Sequence, residues 1–169
     1  MSNSLSDKDI KTVSSIFSKI EPGPLPTEIF NQLARIMVTT TVVFVPLLYD
    51  KADRLCVLLT KRDENDTYYP NLYHPAGTVL RPTDVTIETA FNRILVSELK
   101  NPKVRNSPVF VDYVFDEIER GREVSLIHWI ELLEKPEVGE LFSIDCLPEN
   151  IIQNDIPRIK LAVDHFLTH

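Results

Sequence analysis

The chain is short of several features that would mark common protein classes. It has two cysteines, Cys56 and Cys146, with no metal-ligand spacing. Both sit in apolar runs, which argues against a disulfide scaffold or zinc module and for buried thiols in a reducing cytoplasm. Long apolar runs are also missing. The longest, Val42 to Leu48, is far short of the roughly 18 residues a membrane span needs, and no signal peptide is visible, so no membrane partner is expected. Positive charge is scarce: Lys and Arg number 18 against 25 for Asp and Glu, a net charge of -7. That balance is wrong for a protein whose main task is to coat nucleic acid, although a local pocket can still take a phosphorylated small molecule. Repeats and low-complexity tracts are absent. What is present is 169 residues with 43% apolar content, enough for one globular core.

Along the chain, Ser6 with Asp7 and Asp9 caps a first amphipathic helix that carries Ile10, Val13, Ile16, Phe17 and Ile20 on one face. The segment Glu21 to Pro26, EPGPLP, ends it, and a second helix from Thr27 to about Met37 follows. These helices could cover the core or pair with another subunit, so a homodimer is one expectation. Val38 to Tyr49 and Arg54 to Arg62 read as strands, the first β-branched and apolar as a buried strand should be. Leu72 to Leu80 reads as one further strand. Val109 to Glu119 and Glu123 to Leu133 form a hairpin about Arg120-Gly121. A short strand from Glu140 to Ile144 and a helix from about Asn154 to Leu167 complete the chain. His128 and Trp129 are adjacent on a strand and must point to opposite faces.

The stretch from His74 to Lys100 carries the chemistry. Asp84 or Thr86 can cap a helix in which Ile87, Ala90, Phe91, Ile94, Leu95 and Leu99 form the apolar stripe. At about 100° per residue, Glu98 projects within roughly 20° of Ile87, inside that stripe. A carboxylate there needs a cation, hydrogen-bond donors or an open cleft, because burying it unpaired costs several kcal/mol or forces protonation. A neighbouring Arg or Lys and a metal ion are both admissible partners.

These residues resemble the signature of the Nudix hydrolase family. Ala76-Gly77 match its Gly-Gly start, Arg93 its arginine, Leu95 its aliphatic position and Ser97-Glu98 its glutamate pair. Ile94 and Ser97 stand where two carboxylates are usual, and the loop around Pro82 and Thr83 is longer than the signature. The run from Ala90 to Lys100 is similar to the box of the GDP-mannose mannosyl hydrolase branch, which lacks the same carboxylates. The resemblance implies a Nudix-type α/β/α sandwich around a mixed β-sheet in residues 38–169, with an N-terminal helical extension in residues 1–37.

It further implies a hydrolase acting on a nucleoside diphosphate linked to another group, such as a nucleotide sugar. Magnesium, or manganese, would be held by Glu98 and the Gly77 carbonyl. Arg93 would orient Glu98 or that loop, and Arg62, Arg81 and Tyr69 would bind substrate. His74, just before Pro75, reads as a structural histidine. The later loop contains no Gln or His to complete the branch's pattern, and Glu134, Glu137 and Glu140 are its candidate replacements. The same losses support the alternative of a catalytically silent module that binds a nucleotide or a protein.

Overall fold

The computed structural model describes residues 5–169. Helix α1 (Asp7–Phe17) is closed by a capping box, with Ser6 and Asp9 each accepting from the other's backbone amide, and it buries none of its residues. Its apolar face, including Ile10 and Phe17, stays exposed. Helix α2 (Thr27–Ile36) buries Ala34 against the sheet.

The sheet contains β1 (Thr39–Tyr49), β2 (Leu55–Lys61), β3 (Tyr73–His74), β4 (Ala76–Val79), β5 (Val109–Ile118), β6 (Gly121–Glu131) and β7 (Glu140–Ser143). The main order is β3-β2-β1-β6-β5, with β4 on β1 and β7 on β2. Among these seven strands β1 and β6 pair in parallel, and the other strand pairs are antiparallel. The expected mixed sheet is therefore present. Helix α3 (Ile87–Arg93) and its continuation to Glu98 cover one face, and α4 (Asp155–Thr168) covers the other.

Strand β1 is buried from Thr41 to Leu48. A run buried on both faces must be nearly continuous in apolar residues rather than alternating, as TVVFVPLL is. Val43, Val45 and Leu47 enter the α4-side core, and Val42, Phe44 and Leu48 the α3-side core. Pro46 has no N–H for a ladder. It falls in the gap between the register with β4, which ends at Phe44, and that with β2, which begins at Leu47.

Two expectations change. The single strand anticipated from Leu72 to Leu80 is split at Pro75: Tyr73 and His74 pair with β2, whereas Ala76 to Val79 pair with β1. Proline interrupts the ladder, and the two halves serve different neighbours. Cys146 is exposed rather than buried; Cys56 is buried, and both are free thiols. Among the described residues, no helix is long and apolar enough to cross a membrane.

Gly121 seats α2 on the sheet. Its φ is +139°, and a Cβ there would lie 2.3 Å from the Ala34 carbonyl oxygen. Strain of this kind costs about 1–3 kcal/mol, and for a chain of this size each kcal/mol shifts Tm by about 2–4 °C. Gly121→Ala should therefore lower Tm by roughly 2–12 °C in a calorimetric melt. An unchanged Tm would show that α2 is not seated through this contact.

Candidate functional site

The helix that carries Glu98 is not regular. After Arg93 it widens into a π-turn, Ile94–Glu98, closed by the Leu99 amide on the Ile94 carbonyl at 3.1 Å. In an unbroken α-helix Glu98 would lie about 40° from Ile94 and Leu99 about 140° away. The added residue in the turn reverses this. Ala90, Ile94 and Leu99 are fully buried, and Glu98 moves to the margin of the stripe, half-buried. Such turns are uncommon and recur at functional sites.

Glu98 makes no hydrogen bond or ion pair among the described residues. Burial pushes its carboxyl above the usual carboxylate range, against the opposing pull of Arg62, Lys100 and Arg93. Arg93 does not bind it. Its guanidinium grips the loop after β4 instead, donating to Thr78 Oγ1 at 2.6 Å and Asp84 Oδ2 at 2.5 Å, with longer contacts to the Val79 carbonyl. Asp84 also accepts from the Arg81 amide at 2.8 Å. Asp84 is thus a latch between loop and helix and not the helix cap. Thr86 occupies the cap position without a side-chain bond.

Two cavities lie beside this loop. The larger, about 680 Å³, runs between α2, the start of β1 and the β4 loop; the smaller, about 60 Å³, lies toward the start of α4. Arg62, Gly77, Thr41 and Arg120 line both, so they form the wall between them. Arg81 faces only the larger cavity and Tyr69 only the smaller, while Glu98 lines neither. Of the six residues singled out in the sequence, Arg62, Gly77, Arg81 and Tyr69 line one or both cavities, and Glu98 and Arg93 line neither. Tyr69 is committed to structure: its hydroxyl accepts from the Glu119 amide at 3.0 Å, at the turn of the β5–β6 hairpin. Arg62 pairs with Asp66 at 3.3 Å, yet its buried Nε has no partner. Gly77 lies close against β1: a Cβ there would sit 3.0 Å from the Val42 carbonyl oxygen, a tight contact.

The acidic loop does not complete the site. Glu134 pairs with Lys103 in solvent at 2.9 Å, and Glu140 accepts from the Tyr73 hydroxyl at 2.5 Å. Neither these nor Glu137 lines either of the two cavities. Among the described residues, no group of three or more His, Cys, Asp or Glu could hold a metal ion.

A charge cluster passed over in the sequence closes the inner cavity. Arg158 on α4 binds Asp155 at 2.9 Å, Asp116 on β5 at 3.0 Å and Glu123 on β6 at 3.4 Å. Glu123 also accepts from Arg120 at 2.7 Å and Ser125 at 2.9 Å. Burial raises the Glu123 carboxyl, but its hydrogen bonds and the Arg120 charge hold it below the usual range. Asp155 is pushed up to about 6, because burial outweighs its pairing with Arg158. The signal was available: Glu123 and Ser125 alternate with Ile127 on the buried face of β6, and Asp155 and Arg158 share one face of α4.

His74 is buried, with Nε2 3.3 Å from Thr60 Oγ1, and burial holds its pKa down at about 4. It is neutral at physiological pH, as a structural histidine should be. His128 packs against Phe44, Phe91 and Phe110 on the α3 side, and Trp129 donates to His165 at 3.0 Å on the α4 side.

No protein-family model matches the chain, and no curated protein sequence does. Solved structures do. The NUDIX domain of Shewanella oneidensis NrtR, cocrystallised with ADP ribose, superposes with a TM-score of 0.57 at 14% identity, over 90% of this chain and 97% of that one. A mutT/nudix family protein from Listeria innocua gives 0.60 at 14% identity, over 78% and 98%. Shewanella oneidensis NrtR complexed with a 27mer DNA gives 0.59 at 16% identity over 76% of this chain, which spans only 62% of that one. The chain has the Nudix fold. One fold hosts many functions, so activity must be argued from the site.

His74 supplies a pH test. Its folded pKa lies below the unfolded value, so the stability it contributes is present above pH 6.5 and lost as pH falls toward 4. At 1.36 kcal/mol per unit, the shift from 6.5 to about 4 amounts to about 3 kcal/mol. Asp155, shifted upward, contributes with the opposite sign between 3.8 and about 6. The informative quantity is therefore the difference between parent and His74→Gln in urea unfolding. The parent should lose up to about 3 kcal/mol more than the variant from pH 6.5 to 4; parallel curves would place a charged His74 in the folded state.

Proposed function

We propose that this protein is a hydrolase of diphosphate-linked small molecules, with a nucleoside diphosphate joined to a second group as the class suggested by its sequence. The observation that carries the reading is Glu98, a half-buried carboxylate without a partner on a π-turn, beside a glycine-started loop latched by Arg93. Carboxylates that serve only the scaffold are paired here, as Glu123 and Asp84 are.

The donor set fits a cation that relies on its substrate. Magnesium is commonly bound by one or two carboxylates together with substrate phosphates and water. Glu98 and the Gly77 carbonyl would hold magnesium or manganese, which when bound neutralises charge on the leaving phosphate. Arg93 acts as a positioning residue, fixing the loop through Thr78, Val79 and Asp84. Arg62 and Arg81 meet the phosphates. Tyr69 holds the β5–β6 hairpin in place.

A silent binding module is the second reading, favoured by the lack, among the described residues, of any clustered metal-ligand group. The two separate on turnover. With magnesium and a panel of nucleotide sugars and dinucleotides, the parent should release product, and Glu98→Gln should lower the rate by about a hundredfold or more. Magnesium affinity should rise when a non-hydrolysable nucleoside diphosphate is present, with the reciprocal effect equal in size. Absence of turnover, with equal metal affinities in both calorimetric titrations, would leave the binding module.

A further inference from the structure

The larger cavity is amphiphilic, and its two ends differ in chemistry. Toward α2 it is walled by Leu25, Phe30, Leu33, Met37 and Leu80. Met37 is 60% exposed and the neighbouring Val38 52%, so this wall opens to solvent with its apolar side chains uncovered. At the other end, the charged residues lining the cavity are Arg62, Arg81 and Arg120, and among the described residues no carboxylate lines it.

These arginines retain unused donors. Nε of Arg62 and Nε of Arg120 are buried without partners. The hydroxyl of Thr41, a residue only 6% exposed, approaches the Glu123 carboxylate and falls short of hydrogen-bond geometry with it. Arg81 has no side-chain partner among the described residues. Buried donors without acceptors are costly, about 1–3 kcal/mol each, and the arginines that carry two of them line the cavity, where an anion would offset their charge. Arg120 also stacks over Phe30 at 5.6 Å, which joins the cationic end to the apolar wall.

Size decides where a ligand's bulk can go. At about 30 Å³ per water, the 60 Å³ inner cavity holds roughly two water molecules and no base or sugar. The 680 Å³ cavity lies within the usual range for small-molecule sites, about 300–1,000 Å³. Its wall carries Thr27, Thr39, Thr40, Thr41 and Thr78 beside a set of apolar side chains that can receive a hydrocarbon.

We infer that this cavity is a binding site for a soluble diphosphate ester with an apolar substituent, the diphosphate at Arg62, Arg81, Arg120 and Thr41 and the apolar group against α2. The inference rests on the hydrolase reading only in naming the diphosphate as the anionic group, and it assigns to α2 the wall that selects substrate.

Binding is read by calorimetry on the full chain in EDTA, where turnover plays no part. The probes are n-octyl diphosphate below its micelle concentration, inorganic pyrophosphate and GDP. Octyl diphosphate should bind at least tenfold tighter than either of the others. Leu33→Ala should weaken octyl diphosphate severalfold and leave pyrophosphate unchanged, whereas Arg81→Ala should weaken both. Vesicles containing phosphatidate, which present the same chemistry on a lipid surface, should not sediment the protein.

Equal affinity for octyl diphosphate and pyrophosphate, or no saturable binding of either, would overturn the inference. So would GDP binding as tightly as octyl diphosphate, or co-sedimentation with vesicles. The comparison of probes on the unaltered chain needs no variant to fold. A failure of magnesium-dependent turnover would count against the hydrolase and leave this binding result standing.

Discussion

The structure depends on the burial of β1 on both faces and its pairing along both edges. A strand so enclosed can expose no backbone amide or carbonyl without a partner, since each one left unpaired costs free energy comparable to a lost hydrogen bond. β6 therefore runs along one edge, and β4 and β2 divide the other. The side chains alternate between the α3-side and α4-side cores, so one segment organises both layers. The candidate site lies at the beginning of this strand, where Val42 and Val43 pair with Thr78 and Gly77. Gly77 is fixed by close contact with β1, and the loop that follows inherits its position.

Charge is treated in two ways around that point. The inner cluster is paired internally, with Arg158 joining α4 to β5 through Asp116 and to β6 through Glu123 while holding Asp155 on its own helix. Removing one member would leave another buried and unpaired, typically a loss of about 3–5 kcal/mol. The cluster serves to register the last helix on the sheet. Glu98, Arg81 and the unused Nε atoms of Arg62 and Arg120 are different, because nothing in the fold consumes them. Arg62, Arg81 and Arg120 line the larger cavity, whereas Glu98 lies outside both cavities.

Element order and the core were legible from the sequence, because period and turn chemistry are local. The β-branched run of β1, the Ser6 capping box, the Arg120-Gly121 turn and the 3.6-residue stripe of α3 each lie within a few consecutive residues. Their observed bounds differ from the expected ones by little, except at Pro75. The candidate site was legible only as a set of residue types. Glu98, Arg93 and Gly77 could be named from spacing, but their partners could not.

What the sequence alone determined was the α/β order, the apolar core and the position of one carboxylate near the apolar stripe of a helix. What only the tertiary structure decided was where that carboxylate points, since Leu99 takes the buried place through a widened turn. It also decided that Arg93 holds Asp84 and Thr78 and that Tyr69 is used by the hairpin. Glu123, Asp116, Asp155 and Arg158 are far apart along the chain, and Arg120, Thr41 and α2 meet only across the folded sheet. Local pattern records which face of an element is apolar; the pairing of buried charges and the shape of a cavity depend on contacts between elements, which no local period encodes.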